Sequence, residues 1–143
     1  MAINTSKVIV GGIVGGIVAN VIDFVTSTYI LGDMQKAAMT KLNPALAVNP
    51  SGTQIAGLVV LDFVWLIANI WIYAAIRPRF GPGPKTPAYA GIVSWVIGST
   101  VAGFFGLIGM FGLHLFLASS LVALINSIVS TMVGARFYTE ETA

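Results

Sequence analysis

Two pentapeptides in this chain match each other, Val21-Ile22-Asp23-Phe24-Val25 and Val60-Leu61-Asp62-Phe63-Val64, and each sets one aspartate inside a long apolar run. They hold two of the five acidic residues in the sequence. A carboxylate in hydrocarbon costs about 2.5–3.5 kcal/mol even on insertion scales, so such acids face a partner, a polar cavity or a bound cation. The chemistry open to the pair is proton exchange or cation binding. Three amides extend it: Asn20 one turn from Asp23, Asn69 two turns from Asp62, and Asn126 near the centre of the last apolar segment. No lysine or arginine lies within these runs. Two ionised carboxylates without a cation are untenable at low dielectric, so the pair is expected to share a proton or hold a cation. The simpler alternative is structural: neutral Asp and Asn side chains bond across a bundle and fix its register, at about 0.6 kcal/mol each.

Other chemistry has little to work with. Cysteine is absent, which excludes disulfides, thiolate metal sites and thiol catalysis. His114 is the only histidine, and neither a Ser-His-Asp triad nor an H-E-x-x-H zinc motif can be assembled around it. No catalytic residue or metal-ligand set is assigned, and the reading is non-enzymatic. The aromatics Trp65, Trp71, Trp95, Phe104, Phe105, Phe111 and Phe116 suit packing or interfacial anchoring. Nothing among them specifies a pigment or quinone pocket, so the cofactor stays unknown. A net charge of +2 with no basic face excludes nucleic acid as a partner.

The elements that must position the carboxylates follow from hydropathy. Of 143 residues, 57% are hydrophobic and 8% charged, against about 25% charged in soluble domains. Val8–Leu31 and Ile55–Ile76 each exceed the ~20 residues that cross a ~30 Å hydrocarbon core. The block from Ala88 to Phe137 is twice that length and breaks at the glycines between Gly106 and Gly112. The expectation is one all-α membrane domain over 1–143, a polytopic four-helix bundle with spans near 8–31, 55–76, 88–108 and 114–137. The first span overruns a cleavable signal region and is expected to remain as an anchor. Between Gly32 and Gln54, Met34, Ala38, Leu42 and Ala45 form a weak apolar stripe. That suits either a short interfacial helix ending near Asn43-Pro44 or a solvated loop.

Lys7, Arg77, Arg79, Lys85 and Arg136 fall on one side of this layout, against Lys36 and Lys41 on the other. By the positive-inside rule both termini are cytoplasmic, with Arg77, Arg79 and Lys85 anchoring the intervening turn. Asp23 then lies about 5 Å beyond the midpoint of its span and Asp62 about 5 Å before the midpoint of an antiparallel one, which predicts carboxylates at one depth in the outer leaflet. The second helix is expected to end at Ile76-Arg77-Pro78, since proline does not continue a helix. The Gly83-Pro84-Lys85-Thr86 stretch lacks phosphate-loop spacing, and its prolines remove N–H donors.

Each span also has a small-residue side. Gly12 and Gly16 form GxxxG pairs with their neighbours in the first, Gly98, Ala102 and Gly106 line the third, and Asn126 shares a face with Ser119, Ala123, Ser130 and Gly134 in the fourth. Such ridges permit close helix contact in lipid. The stretch from Tyr73 to Thr86, Y-A-A-I-R-P-R-F-G-P-G-P-K-T, resembles a signature of uncharacterised small bacterial four-helix integral membrane proteins, as does Asn20-x-x-Asp23-Phe24. The resemblance implies four spans and a bacterial inner membrane, and no activity. The leading expectation is a non-enzymatic multi-pass protein that packs through these ridges into a homo-oligomer or accessory subunit of a membrane complex, with the lipid bilayer as its other partner. The alternative is a small proton- or cation-coupled transporter using Asp23 and Asp62, which resembles small multidrug transporters in architecture but has two aspartates where they use one glutamate. A third reading is binding of a lipid or lipophilic cofactor.

Overall fold

The computed structural model describes residues 3–47 and 50–140 and is all-α. In chain order it contains α1 (Thr5–Tyr29), α2 (Gly32–Leu42), a 3-10 turn (Pro44–Ala47), α3 (Gly52–Phe80), α4 (Lys85–Leu107) and α5 (Leu113–Ala135). All but α2 and the 3-10 turn are long and apolar enough to cross a membrane, which makes this a multi-pass membrane architecture. Polar caps start two of the long helices. The Asn4 side chain accepts from the Lys7 N–H at 3.1 Å, so α1 begins three residues before its apolar run. Ser51 and Gln54 form a reciprocal capping box at the head of α3. Both devices satisfy N–H groups that a first helical turn leaves open.

The structure corrects one helix end. α3 does not stop at Arg77-Pro78 but runs through Pro78 to Phe80. Proline removes one backbone donor, and in a last turn that loss is small. Phe80 packs edge-on against Tyr89, and the helix closes at Gly81, whose φ of 84° suits glycine alone and whose N–H reaches the Arg77 carbonyl at 2.8 Å. Pro87 is accommodated in the first turn of α4, where its missing N–H has no helical partner to lose. The first connection is helical, since α2 ends where Asn43 caps it. The second break is a turn over residues 108–112, with Gly109 at φ 87°.

Around the bundle the order is α1, α3, α4, α5. Among the described residues α1 and α4 stand opposite without close approach. The closest contacts run through glycine. A Cβ on Gly11 would lie 2.7 Å from the Gly134 carbonyl oxygen, and one on Gly15 2.8 Å from that of Ser130. Gly12 rests on the backbone of Ile67, and Gly16 on the Phe63 ring. Gly91 meets the Ser127 carbonyl at 2.8 Å by the same measure, and the Ser127 hydroxyl donates to the Gly91 carbonyl at 2.9 Å. The ridge expected on α4 divides: Gly98 touches the Trp65 indole, Gly106 has only ordinary contact with Phe116, and Ala102 is exposed. Phe116 lies against Gly103 and Gly106 at that end of the α4–α5 seam.

The start of α1 and the end of α5 lie at the end of the bundle that carries Lys7, Arg77, Arg79, Lys85 and Arg136, called the basic end below. Arg77 pairs with Glu140 at 2.8 Å and sits over the Tyr138 ring, which packs edge-on against Tyr73. Tyr138 also accepts the Asn4 backbone N–H at 3.4 Å. The segment after α5 is thereby tied to α1 and α3.

Backbone contact and side-chain contact at glycine should separate in a stability measurement. Gly12→Ala, which places a methyl on the Ile67 backbone, is expected to destabilise the detergent-solubilised protein by about 1–3 kcal/mol. Gly57→Ala, with nothing within 4 Å, should be neutral or stabilising by up to about 1 kcal/mol through helix propensity. Thermal or denaturant unfolding of the two variants side by side checks the contrast.

Candidate functional site

The α1–α5 seam builds the site. Gly11 against Gly134 and Gly15 against Ser130 bring the two backbones together, and the same register continued one turn sets Ala19 beside Asn126. The Asn126 amide nitrogen donates to the Ala19 carbonyl at 3.3 Å and to the Asp23 carboxylate at 2.7 Å. Its amide oxygen accepts the Ser130 hydroxyl at 2.7 Å. Asn126 and Ser130 are buried, and Asp23 is half-buried. A directed line of hydrogen bonds therefore runs Ser130 to Asn126 to Asp23, ending on a carboxylate oxygen that only accepts if ionised.

Asp62 stands differently. Among the described residues no hydrogen bond or cation reaches its half-buried carboxylate. Trp65, one turn further along α3, leans its ring on Gly98. The two aspartates are also not at one depth. Gly12 meets Ile67, Gly16 meets Phe63 and Asn20 reaches the Val59 carbonyl at 3.5 Å, so four steps up α1 match four steps down α3. Continued, that register puts Asp23 opposite Ala56 and Asp62 opposite Ile17, an axial stagger of about 9 Å. The expected level placement fails because the spans begin and end at different offsets from their apolar midpoints: α3 extends four residues past Ile76 and α1 stops at Tyr29. Side-chain direction recovers part of the distance. Each Cα–Cβ bond tilts toward its own helix N-terminus, and in antiparallel helices that leans the two carboxylates toward each other.

The amides expected beside them separate. Asn20 donates to the Gly16 carbonyl at 2.9 Å, one turn back on its own helix, and stays on the α1–α3 seam. Asn69 is wholly buried, 0% exposed, and neither its amide oxygen nor its nitrogen has a hydrogen-bond partner among the described residues. It lies between Leu66 and Ile70, which pack on Gly15 and on Gly11 with Gly134, well below the carboxylates. The Thr131 hydroxyl, also 0% exposed, is unpartnered too. Only Asn126 of the three amides joins an aspartate. Ser130 completes the line, and its signal was its place four residues after Asn126. A second network joins α4 and α5, where the Trp95 indole N–H donates to the Ser120 carbonyl at 2.8 Å and Ser99 and Ser120 share a bond of 3.0 Å.

Chemically, the arrangement offers one ordered carboxylate, one open carboxylate and amide and hydroxyl oxygens nearby. Among the described residues no three His, Cys, Asp or Glu side chains cluster as a metal set. The site suits a proton or a cation completed by backbone and amide oxygens.

Opposite outcomes are expected for the two buried amides. Asn126→Leu strands Asp23 and Ser130 and should lower stability by about 1–3 kcal/mol, whereas Asn69→Leu removes an unsatisfied amide and should be neutral or stabilising. Unfolding midpoints of both variants in one detergent decide it. In comparisons with known proteins, no family model, no curated protein and no solved structure matches the chain.

Proposed function

We propose that this protein is a small multi-pass membrane carrier that binds and passes a proton or small cation through Asp23 and Asp62. The supporting observation is the unequal pair itself. Asp23 is fixed by Asn126 and Ser130, while no group among the described residues holds Asp62, and the chain's lysines and arginines lie outside the middle of every span. A carboxylate kept in a span without a protein partner is suited to an exchangeable one. The proton or cation visits Asp62 and Asp23 in turn, and the Asn126 amide orients the second acceptor. Flux into proteoliposomes tests this with Asp23→Asn, Asp62→Asn and the double variant. Loss of flux to the level of empty liposomes in the double variant is expected, and wild-type flux there ends the proposal.

A second reading, an accessory subunit or homo-oligomer, draws on a different feature. The glycine ridges are occupied within the chain, but every residue of α3 from Gly52 to Leu61 is exposed, including Gln54. A neighbouring subunit would cover that stretch. Native mass spectrometry from mild detergent separates the readings, since a strict monomer with flux supports the carrier alone.

We place the basic end in the cytoplasm of a bacterial inner membrane, on the positive-inside bias. The absence of cysteine makes this directly testable. Lys85→Cys should be shielded from a membrane-impermeant maleimide in intact cells, and Thr40→Cys on α2 should react.

A further inference from the structure

We infer that the basic end carries a binding site for the headgroup of an anionic phospholipid, with Arg136 holding the phosphate. A cavity of about 200 Å³ opens there between the start of α4 and the end of α5. Its lining includes Pro84 and Pro87 from the start of α4, Tyr73 from α3, and Met132, Ala135 and Arg136 from the end of α5. Ligand pockets for whole small molecules run about 300–1,000 Å³, so this volume takes a headgroup and leaves the acyl chains outside along the bundle. Its position, at the ends of two membrane-length helices, is the depth at which lipid phosphates lie.

Charge selects the class of lipid. Among the described residues the basic end holds Lys7, Arg77, Arg79, Lys85 and Arg136 against Glu140. Among the described residues the single ion pair is Arg77 with Glu140, and none of their carboxylates lies at contact distance from Arg136. A guanidinium binds a phosphate through two parallel N–H donors, and each cation at an anionic membrane surface contributes about 1 kcal/mol. The α4 N-terminus contributes little to phosphate binding itself. Pro87 has no N–H, and the Thr86 N–H is already given to the Gly83 carbonyl at 3.2 Å. Arg136 is therefore the group on which recognition rests, and the apolar wall of Met132, Ala135 and Tyr73 favours a lipid over free phosphate.

The inference does not depend on the carrier reading. Native mass spectrometry of the whole chain, exchanged into micelles doped with phosphatidylglycerol or phosphatidylcholine, tests it with Arg136→Gln and Arg79→Gln. Wild type should retain phosphatidylglycerol in preference to phosphatidylcholine. Arg136→Gln should lower that occupancy by roughly fivefold, the worth of one cation, and Arg79→Gln, whose residue does not line the cavity, should leave it unchanged. Equal loss in both variants would mean diffuse surface attraction and overturn the site. Equal retention of both lipids, or displacement of phosphatidylglycerol by inorganic phosphate at equal concentration, would overturn the lipid assignment. Arg136 is exposed, so its replacement leaves the core packing in place.

Discussion

The contact of the α1 and α5 backbones at Gly11 and Gly134 is the constraint on which the rest of this structure depends. Each glycine stands where a Cβ would strike the other's carbonyl oxygen. In lipid there is no hydrophobic drive between helices, and association rests on van der Waals contact and hydrogen bonds that fade quickly with distance. A methyl layer at Gly11 or Gly15 would push the helices apart along the whole seam. The Asn126 amide reaches Asp23 at 2.7 Å only because the two backbones are already touching two to three turns away. Packing and chemistry are thus one arrangement: the glycines set a distance, and the amide uses it.

The same logic explains why a repeated pentapeptide does not produce a repeated environment. In the first copy Phe24 is 67% exposed and Asp23 turns inward to Asn126. In the second, Phe63 packs on Gly16 and no hydrogen bond or cation among the described residues reaches Asp62. The difference comes from neighbours, not from the five residues. α1 lies between α3 and α5 and finds an amide on the latter, whereas α3 at the level of Asp62 is close to its exposed first turns. Identity at four of the five positions repeats the residue types and leaves their partners to the register.

Much of the architecture was legible because it rests on length and hydropathy. Four apolar runs longer than a bilayer core leave few alternatives, and the Gly106–Gly112 break marks the only turn available within the last block. The weak stripe in the first connection left a helix and a loop equally open, and the structure forms the helix. Three things were not legible. The end of α3 depends on Phe80 finding Tyr89, a contact that no rule about proline contains. The depth of Asp62 relative to Asp23 depends on helix register, which Gly12 on Ile67 and Gly16 on Phe63 decide and span midpoints do not. The membership of the polar cluster depends on rotation about each helix axis: Asn126 and Asn69 are the same residue type in similar apolar company, and only one meets a carboxylate.

That last pair bears on how a site is recognised in a membrane bundle. Burial alone ranks Asn69, at 0% exposure, above Asn126 at 7%. Ranking by partners reverses the order, since Asn126 makes three bonds to α1 and α5 and Asn69 makes none. An unsatisfied buried amide costs about 1–3 kcal/mol and does nothing for a neighbour. A satisfied one that bonds a carboxylate reduces that carboxylate's freedom and fixes its place in the bundle. The informative feature is then the contrast within the site, a completed Ser130–Asn126–Asp23 line beside an Asp62 that no group among the described residues completes. A purely structural polar cluster in lipid is driven toward mutual satisfaction of all its members, because every open group carries a cost. Among the described residues Asp62 departs from that rule while Asp23 obeys it, and that inequality is the observation on which the proposed carrier reading rests.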